Sequence, residues 1–413
     1  MEINEKILEK YAKVAVTMGV NVQKGQTLIL NTSIDAVPLT RAVVKAAYEA
    51  GAKQVQVNYG DDIVSKYHYT YQDLETLKTV PRWLIDSKLD YMKDGTACML
   101  RICSDVPGIL KDVDGEKLGK AMQARAAAMK ELNAYTMANK IQWSIVAAPN
   151  AEWAKQVFPK DDEETAVSKL WDAILHAMRI DEENDPIAAW DEHNHTLAER
   201  EQKLNDMKLK KLHFTNGRGT DLTIEIPDDG IWAGGNEKTT SGIVFNPNMP
   251  TEEIFTMPYK YGVNGTVYAS KPLDYNGKLI DDFWFTFKDG KVVDYGAKQE
   301  PEALKSLVEF DEGSCYLGEV ALVPYESPIS LSNILFLNTL FDENASCHLA
   351  LGKAYPMNIV GGTEMSDEEL AAHGVNLSDT HVDFMFGTAD MKITGFDQNG
   401  KELSIFDQGN FVF

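Results

Sequence analysis

The sequence predicts an α/β protein in two parts. An N-terminal α/β domain with a parallel sheet and a helical connector is expected over residues 1–207, and a C-terminal domain, mainly antiparallel β with added helices, over 208–413. Three observations carry this expectation. At 413 residues the chain exceeds what one hydrophobic core usually organises. Its first part alternates strand-like and helix-periodic runs, an order that implies parallel strands with helices on the sheet faces. Past the connector, hairpin punctuation takes over.

Asn4 is placed to cap a first helix with the apolar face Ile7, Leu8, Tyr11, Val14 and Ala15, and Gly19 to end it in the left-handed conformation. Thr27 to Asn31 reads as a short strand. Ser33 or Asp35 caps the next helix, Pro38 suits its first turn, Val43, Val44, Ala47 and Tyr48 form its buried stripe, and Gly51 stops it. Val55 to Val57 resumes as a strand. The pattern recurs through Cys98 to Cys103, a helix from about Glu116 to Ala138, and Ile141 to Ala148. An acidic helical stretch follows from Asp161 to about Met207, including a helix that carries Trp190, Leu197 and Leu204.

Leu212-His213-Phe214 and Leu222-Thr223-Ile224 then flank the turn Thr215 to Thr220. Gly217 and Gly219 form only a GxG, outside the strand-to-helix context of a phosphate loop. Phe283 to Phe287 before Lys288-Asp289-Gly290-Lys291 gives a second hairpin signal. Ser366 and Glu369 have capping-box spacing for a helix from Asp367 to Ala372, closed near Gly374.

With 44% hydrophobic and 25% charged residues, the composition is that of an ordinary globular protein. A formal net charge of -23 argues against nucleic acid and anionic membrane as partners. Met1 to Lys10 shows no apolar signal core, and no later stretch is long and apolar enough to span a bilayer, so a cytoplasmic protein is expected. Cys98, Cys103, Cys315 and Cys347 are too scattered for a disulfide framework and are expected to be reduced, buried and structural.

The chemistry concentrates in four acid or histidine groupings of the second domain. Pro247 to Pro258 holds Glu252 and Glu253 between prolines; taken alone, the pair reads as the solvated start of a helix. Glu319 sits at the centre of the apolar strand Cys315 to Val323, where a carboxylate is expensive unless paired or bound to a metal. Glu343-Asn344-Ala345-Ser346-Cys347-His348 separates a carboxylate and an imidazole by small residues, so a loop or helix start must present both. In His381-Val382-Asp383 the histidine and the aspartate share one strand face.

Mixed oxygen and nitrogen donors of this kind suit zinc, cobalt, manganese or magnesium. Six candidate groups exceed what one ion needs and suit two ions about 3.5–4 Å apart. The expected chemistry is hydrolysis by a metal-activated water. His68, His176, His193, His195 and His213 have no acidic partner at ligand spacing; His193-Asn194-His195 reads as an exposed helix face, and His373 as the last turn of a capped helix.

At these residues the chain resembles a known family. Asn248 to Thr256, Gly318 to Val323, Glu343 to Gly352 and His381 to Met385, in this order, are similar to the aminopeptidase T family of metallopeptidases, which includes aminopeptidase PepS and staphylococcal aminopeptidase S. The resemblance spans nearly the whole chain. It implies a two-metal exopeptidase acting on peptides with a free N-terminus, in a homodimer. It implies metal ligands at Glu253, Glu319, Glu343, His348, His381 and Asp383, and a functional tyrosine at Tyr355, whose phenol suits donation to an oxyanion. Glu253 or Glu319 would combine ligation with the general-base role, and the sequence does not separate them. Two other readings fit the motifs: a two-metal phosphoesterase, disfavoured by the lack of arginine or lysine beyond Lys353, and a two-lobed small-ligand-binding protein whose metal is structural or absent.

Overall fold

The computed structural model describes residues 3–275 and 278–413; the first two residues of the N-terminal stretch lie outside them. It has two compact units, one of Met1–His193 with Asn236–Pro250 and one of Asn194–Gly235 with Thr251–Phe413. No described helix is long and apolar enough to cross a membrane.

In the first unit, Asn4 caps α1 (Glu5–Val14) by accepting the Lys6 N–H at 2.9 Å. Its fully buried Tyr11 donates to the Ala147 carbonyl at 2.7 Å and accepts the Ala147 N–H at 3.2 Å. Those two bonds fix the helix to a strand. The chain widens into a π-turn over Ala15–Gly19, and the left-handed residue is Asn21 (φ 44°) rather than the expected Gly19. Gly19 is needed for proximity instead, since a Cβ there would lie 2.9 Å from Ser144 Oγ.

Strands β1 (Thr27–Ser33), β2 (Gln54–Gly60), β3 (Ala97–Cys103) and β4 (Trp143–Ala147) form a parallel sheet in the order β2-β1-β3-β4. Helix α2 (Val37–Glu49) buries Leu39, Thr40, Val43 and Ala47. Tyr48, expected in its stripe, is exposed, and its hydroxyl accepts the Val55 N–H at 3.3 Å. The helix Pro186–Met207 buries Trp190, Leu197 and Leu204 as the sequence predicts. The expected exposed face at its centre holds for His195 alone. Asn194 is buried, and His193 lies edge-on to Trp190 with Nδ1 3.0 Å from an Arg179 nitrogen.

The second unit is built on two antiparallel sheets. One contains β5 (Leu209–Thr215), β6 (Asp221–Glu225), β8 (Val263–Tyr268), β9 (Lys278–Lys288) and β10 (Lys291–Gln299), with β14 (Lys392–Asp397) and β15 (Glu402–Asp407) beyond β5. The hairpin turn of β9 and β10 is Asp289-Gly290, both at positive φ, as the sequence signal requires. The other sheet runs β13 (His381–Met385), β12 (His348–Gly352), β11 (Leu317–Leu322), β7 (Ile254–Thr256), then the short strand Ala233–Gly234. A shared core joins the sheets: Phe285 packs 5.0 Å from Phe384 between ring centroids, and Phe283 lies 5.8 Å from Phe384. The helix Asp367–Ala372 has both halves of the capping box between Ser366 and Glu369.

Cys98, Cys103 and Cys347 are buried, while Cys315, expected to be buried too, is half-exposed. Burial pushes the thiols of Cys98 up to about 12 and of Cys103 and Cys347 up to about 11. Iodoacetamide on the native protein at pH 8, followed by mass spectrometry, is therefore expected to label Cys315 first and the other three only after denaturant is added. Equal labelling of Cys98 and Cys315 in native protein would contradict this packing.

Candidate metal centre

Strand β11 is buried along its whole length, yet Glu319 lies in the middle of it. A β-bulge makes this possible. Pairing with β12 shifts register between Leu317 and Glu319, so that Leu317 and Val320 both enter the hydrophobic core while Glu319 takes the opposite face. With regular alternation Glu319 would share a face with Leu317. The extra residue is Gly318, where a Cβ would come within 2.4 Å of the Gly352 and Lys353 carbonyl oxygens. Only glycine fits there.

Register aligns the rest of the set on that face. Glu319 pairs with Ala350, which pairs with Asp383, and His348 precedes Ala350 by two positions on β12, on the same face. His381, two before Asp383, shares the face. Glu253 lies just before β7, two residues ahead of Phe255, whose partner is Ala321. Neither Glu252 nor Glu253 starts a solvated helix, contrary to their reading in isolation: both are buried in a segment without regular secondary structure, just before β7.

His348 Nε2 stands 3.1 Å from Glu253 Oε2 and 3.3 Å from Glu319 Oε1. His381 Nε2 stands 3.4 Å from Glu319 Oε2 and 3.3 Å from Asp383 Oδ1. Two groups of possible ligand atoms result, Glu253 with Glu319 and His348, and Glu319 with His381 and Asp383, each within 4.8 Å. Glu319 belongs to both and turns one oxygen toward each. These five side chains are only 1–19% exposed.

Glu343, on the 3-10 turn Glu343–Ala345, belongs to neither group, though Glu253, Asp383 and Glu319 all act on its charge. The Tyr355 ring centroid is 4.8 Å from that of His381 and 6.2 Å from that of Phe255.

The donor set fits metal ions. Among the described residues no lysine or arginine nitrogen lies within 4.0 Å of these carboxylates, so the imidazoles are their cationic neighbours. Each imidazole is turned by its other nitrogen: His348 Nδ1 lies 3.2 Å from the Ser346 carbonyl and His381 Nδ1 2.7 Å from that of Lys353. A ring that donates from Nδ1 directs the Nε2 lone pair at the carboxylates, an arrangement that calls for a proton or a cation between them. Burial raises Glu253, and burial with the charges of Glu253 and Asp383 raises Glu343 well above the carboxylate range. Burial would raise Glu319 too, but hydrogen bonds from His348 and His381 hold it at about 2. Burial opposes charge on both imidazoles, yet the acids keep them well above the histidine range. Burial and the same carboxylates push the Tyr355 phenol up, which keeps it a donor.

Asn344 is a structural partner that the motifs do not single out. Fully buried, it accepts the Glu252 N–H at 2.7 Å and donates to the Leu340 carbonyl at 3.0 Å, which ties the segment bearing Glu253 to the turn bearing Glu343. The buried position of an amide among small residues was its only sequence signal. Of the other histidines, His213, His195 and His373 do have acidic neighbours, Asp221 at 2.7 Å, Glu199 at 3.3 Å and Asp229 at 2.6 Å, contrary to expectation for the first two. Each has one carboxylate in an exposed setting rather than a set.

The sequence profile of a family described as thermophilic metalloprotease (M29) matches residues 4–411. Aminopeptidase 2 of Geobacillus stearothermophilus is 47% identical over 99% of this chain and 98% of its own. Aminopeptidase T of Thermus aquaticus is 38% identical over 98% of each chain. The solved structure of wild-type AmpT from Thermus thermophilus superposes with a TM-score of 0.92 at 37% identity, covering 99% of this chain and 100% of that one.

The bulge is the weak point of the construction. Gly318→Ala is expected to lower the unfolding free energy by about 1–3 kcal/mol through overpacking, and to weaken binding of added zinc or manganese by re-aiming Glu319. Denaturant titration and equilibrium dialysis measure the two effects, and a variant unchanged in both would show that Gly318 is not required.

Proposed function

Because the chain belongs to the thermophilic metalloprotease (M29) family and is a metal-dependent aminopeptidase, we propose that it removes N-terminal residues from peptides with two divalent ions held on the polar face of the five-stranded sheet. The observation that carries this reading is Glu319, whose two oxygens face two different histidines, each with its own second carboxylate. One ion would be held by Glu253, His348 and one oxygen of Glu319, the other by the second oxygen of Glu319 with His381 and Asp383. Glu343, adjacent in charge, completes the set.

When bound, such ions polarise a carbonyl oxygen and bring the pKa of water close to neutrality. The chain's own residues divide the remaining work. Both Glu319 oxygens are engaged by imidazoles, whereas among the described residues Glu253 faces an imidazole through Oε2. Glu253 Oε1 is therefore the atom that takes the proton of the attacking water and passes it to the leaving amine. Tyr355 holds its hydroxyl proton against the surrounding acids and donates it to the oxygen on which negative charge develops. The acidic surround and the net charge of -23 favour a substrate that arrives with a positive α-ammonium group. The compartment is proposed to be the cytoplasm, and the assembly a homodimer.

Hydrolysis of a short peptide with a free or an acetylated N-terminus, by chelator-treated enzyme restored with zinc, cobalt, manganese or magnesium, tests the reading. Cleavage of the free peptide alone, and only with metal, is expected. Tyr355→Phe should lower kcat by about 10²–10³-fold with KM little changed, as loss of an oxyanion donor does. Full activity of folded Glu319→Gln on the free peptide would overturn the proposal.

A further inference from the structure

Beyond the metal face, β12 and β13 lead into a cavity of about 210 Å³ whose lining includes Arg218, Lys271, Ser270, Ser330, Ser346 and Thr388. In a chain of net charge -23, this lining holds two cations and no acid. Arg218 is partly neutralised by Asp282 at 3.5 Å. Lys271 is not: among the described residues no carboxylate lies within 4.0 Å of it, and the acid it senses, Asp342, already accepts the N–H groups of Phe336 at 2.7 Å and Asn338 at 3.0 Å. Burial pulls the half-buried Lys271 ammonium below the ordinary lysine range, as expected of a cation short of a partner. Beside it, the Ser270 backbone N–H donates to the Met385 carbonyl at 2.8 Å, while its buried hydroxyl has no partner among the described residues. An under-satisfied ammonium next to an unpartnered hydroxyl calls for an oxyanion.

The cavity's position says which one. His348 pairs with Met385 at the ends of their strands, and the cavity wall is made two residues further along each chain, by Ser346 and by Gly387. At roughly 3.3 Å per extended residue this step is about 7 Å. A peptide whose first carbonyl is at the metal face carries its terminal carboxylate about that far when three residues long, and one residue further when four.

We propose that this cavity is a subsite for the C-terminal carboxylate of tri- and tetrapeptides, with Lys271 as the charge that recognises it. The proposal rests on the aminopeptidase reading and adds a preference for short free acids over their amides. Ser270 contributes a neutral hydrogen bond, and Arg218 a second, shared charge.

Two measurements test it on the full chain. The first compares kcat/KM of the metal-loaded enzyme for trileucine and its C-terminal amide, in wild type, Lys271→Met and Lys271→Arg. The second measures binding of the same two peptides to metal-stripped protein by calorimetry, independently of turnover. Wild type and Lys271→Arg are expected to favour the free acid by about ten- to hundredfold in both measurements, and Lys271→Met to lose that preference. Hydrolysis of both peptides with no preference in either measurement would overturn the subsite and leave the aminopeptidase reading standing. Lys271-dependent binding of the acid without hydrolysis of either peptide would support the subsite and sink the catalytic reading.

Discussion

The second unit depends on one constraint, the burial of an ionised carboxylate at Glu319 in a strand that is otherwise hydrophobic. An isolated charge in such a position costs several kcal/mol. Two imidazoles offset it, at 3.3 and 3.4 Å, and hold the acid at about 2. Those imidazoles are themselves buried beside two further carboxylates, Glu253 and Asp383. Each group is tolerated only because the others are present. Such a network is costly to leave half-satisfied, and bound metal cations would supply the positive charge it lacks.

Local backbone geometry enforces the arrangement. The Gly318 bulge flips the alternation of β11, so the strand can serve the hydrophobic core through Leu317 and Val320 and the polar face through Glu319. Gly352 (φ 108°) sits opposite His381 in the register, and a Cβ there would lie 2.1 Å from the Thr380 carbonyl oxygen, so the two strands approach closely beside the site. Asn344 then locks the two non-sheet contributors to each other. Rigid strands and one buried amide thus hold ligand-bearing segments that are far apart in sequence.

Much of this was legible in the chain. Alternation and turn chemistry gave the parallel sheet, both hairpins and the capped helix at Asp367, because those signals are local. The strand pattern gave the shared face of His381 and Asp383, and the cost of burying charge marked Glu319. What sequence reasoning could not give is non-local. Gly19 reads as a helix terminator, and only packing against Ser144 shows that its role is proximity. Tyr48 fits an apolar stripe by spacing but lies over the start of β2 instead. His193 reads as solvated until Trp190 and Arg179 are seen around it. Glu252 and Glu253 read as a helix start because nothing local shows that the proline-bounded segment is buried and leads straight into β7. Lys271 and Ser270 carry no motif, and their interest arises from the strands that end beside them.

The central claim is that one buried carboxylate bridges two ions. Anomalous diffraction from crystals of wild type and Glu319→Gln loaded with manganese tests it most directly. Two peaks about 3.5–4 Å apart, one on each side of Glu319 in wild type, with at least one lost or strongly weakened in the variant, is the result this account predicts. A single peak in wild type, or two peaks undisturbed by the substitution, would contradict it.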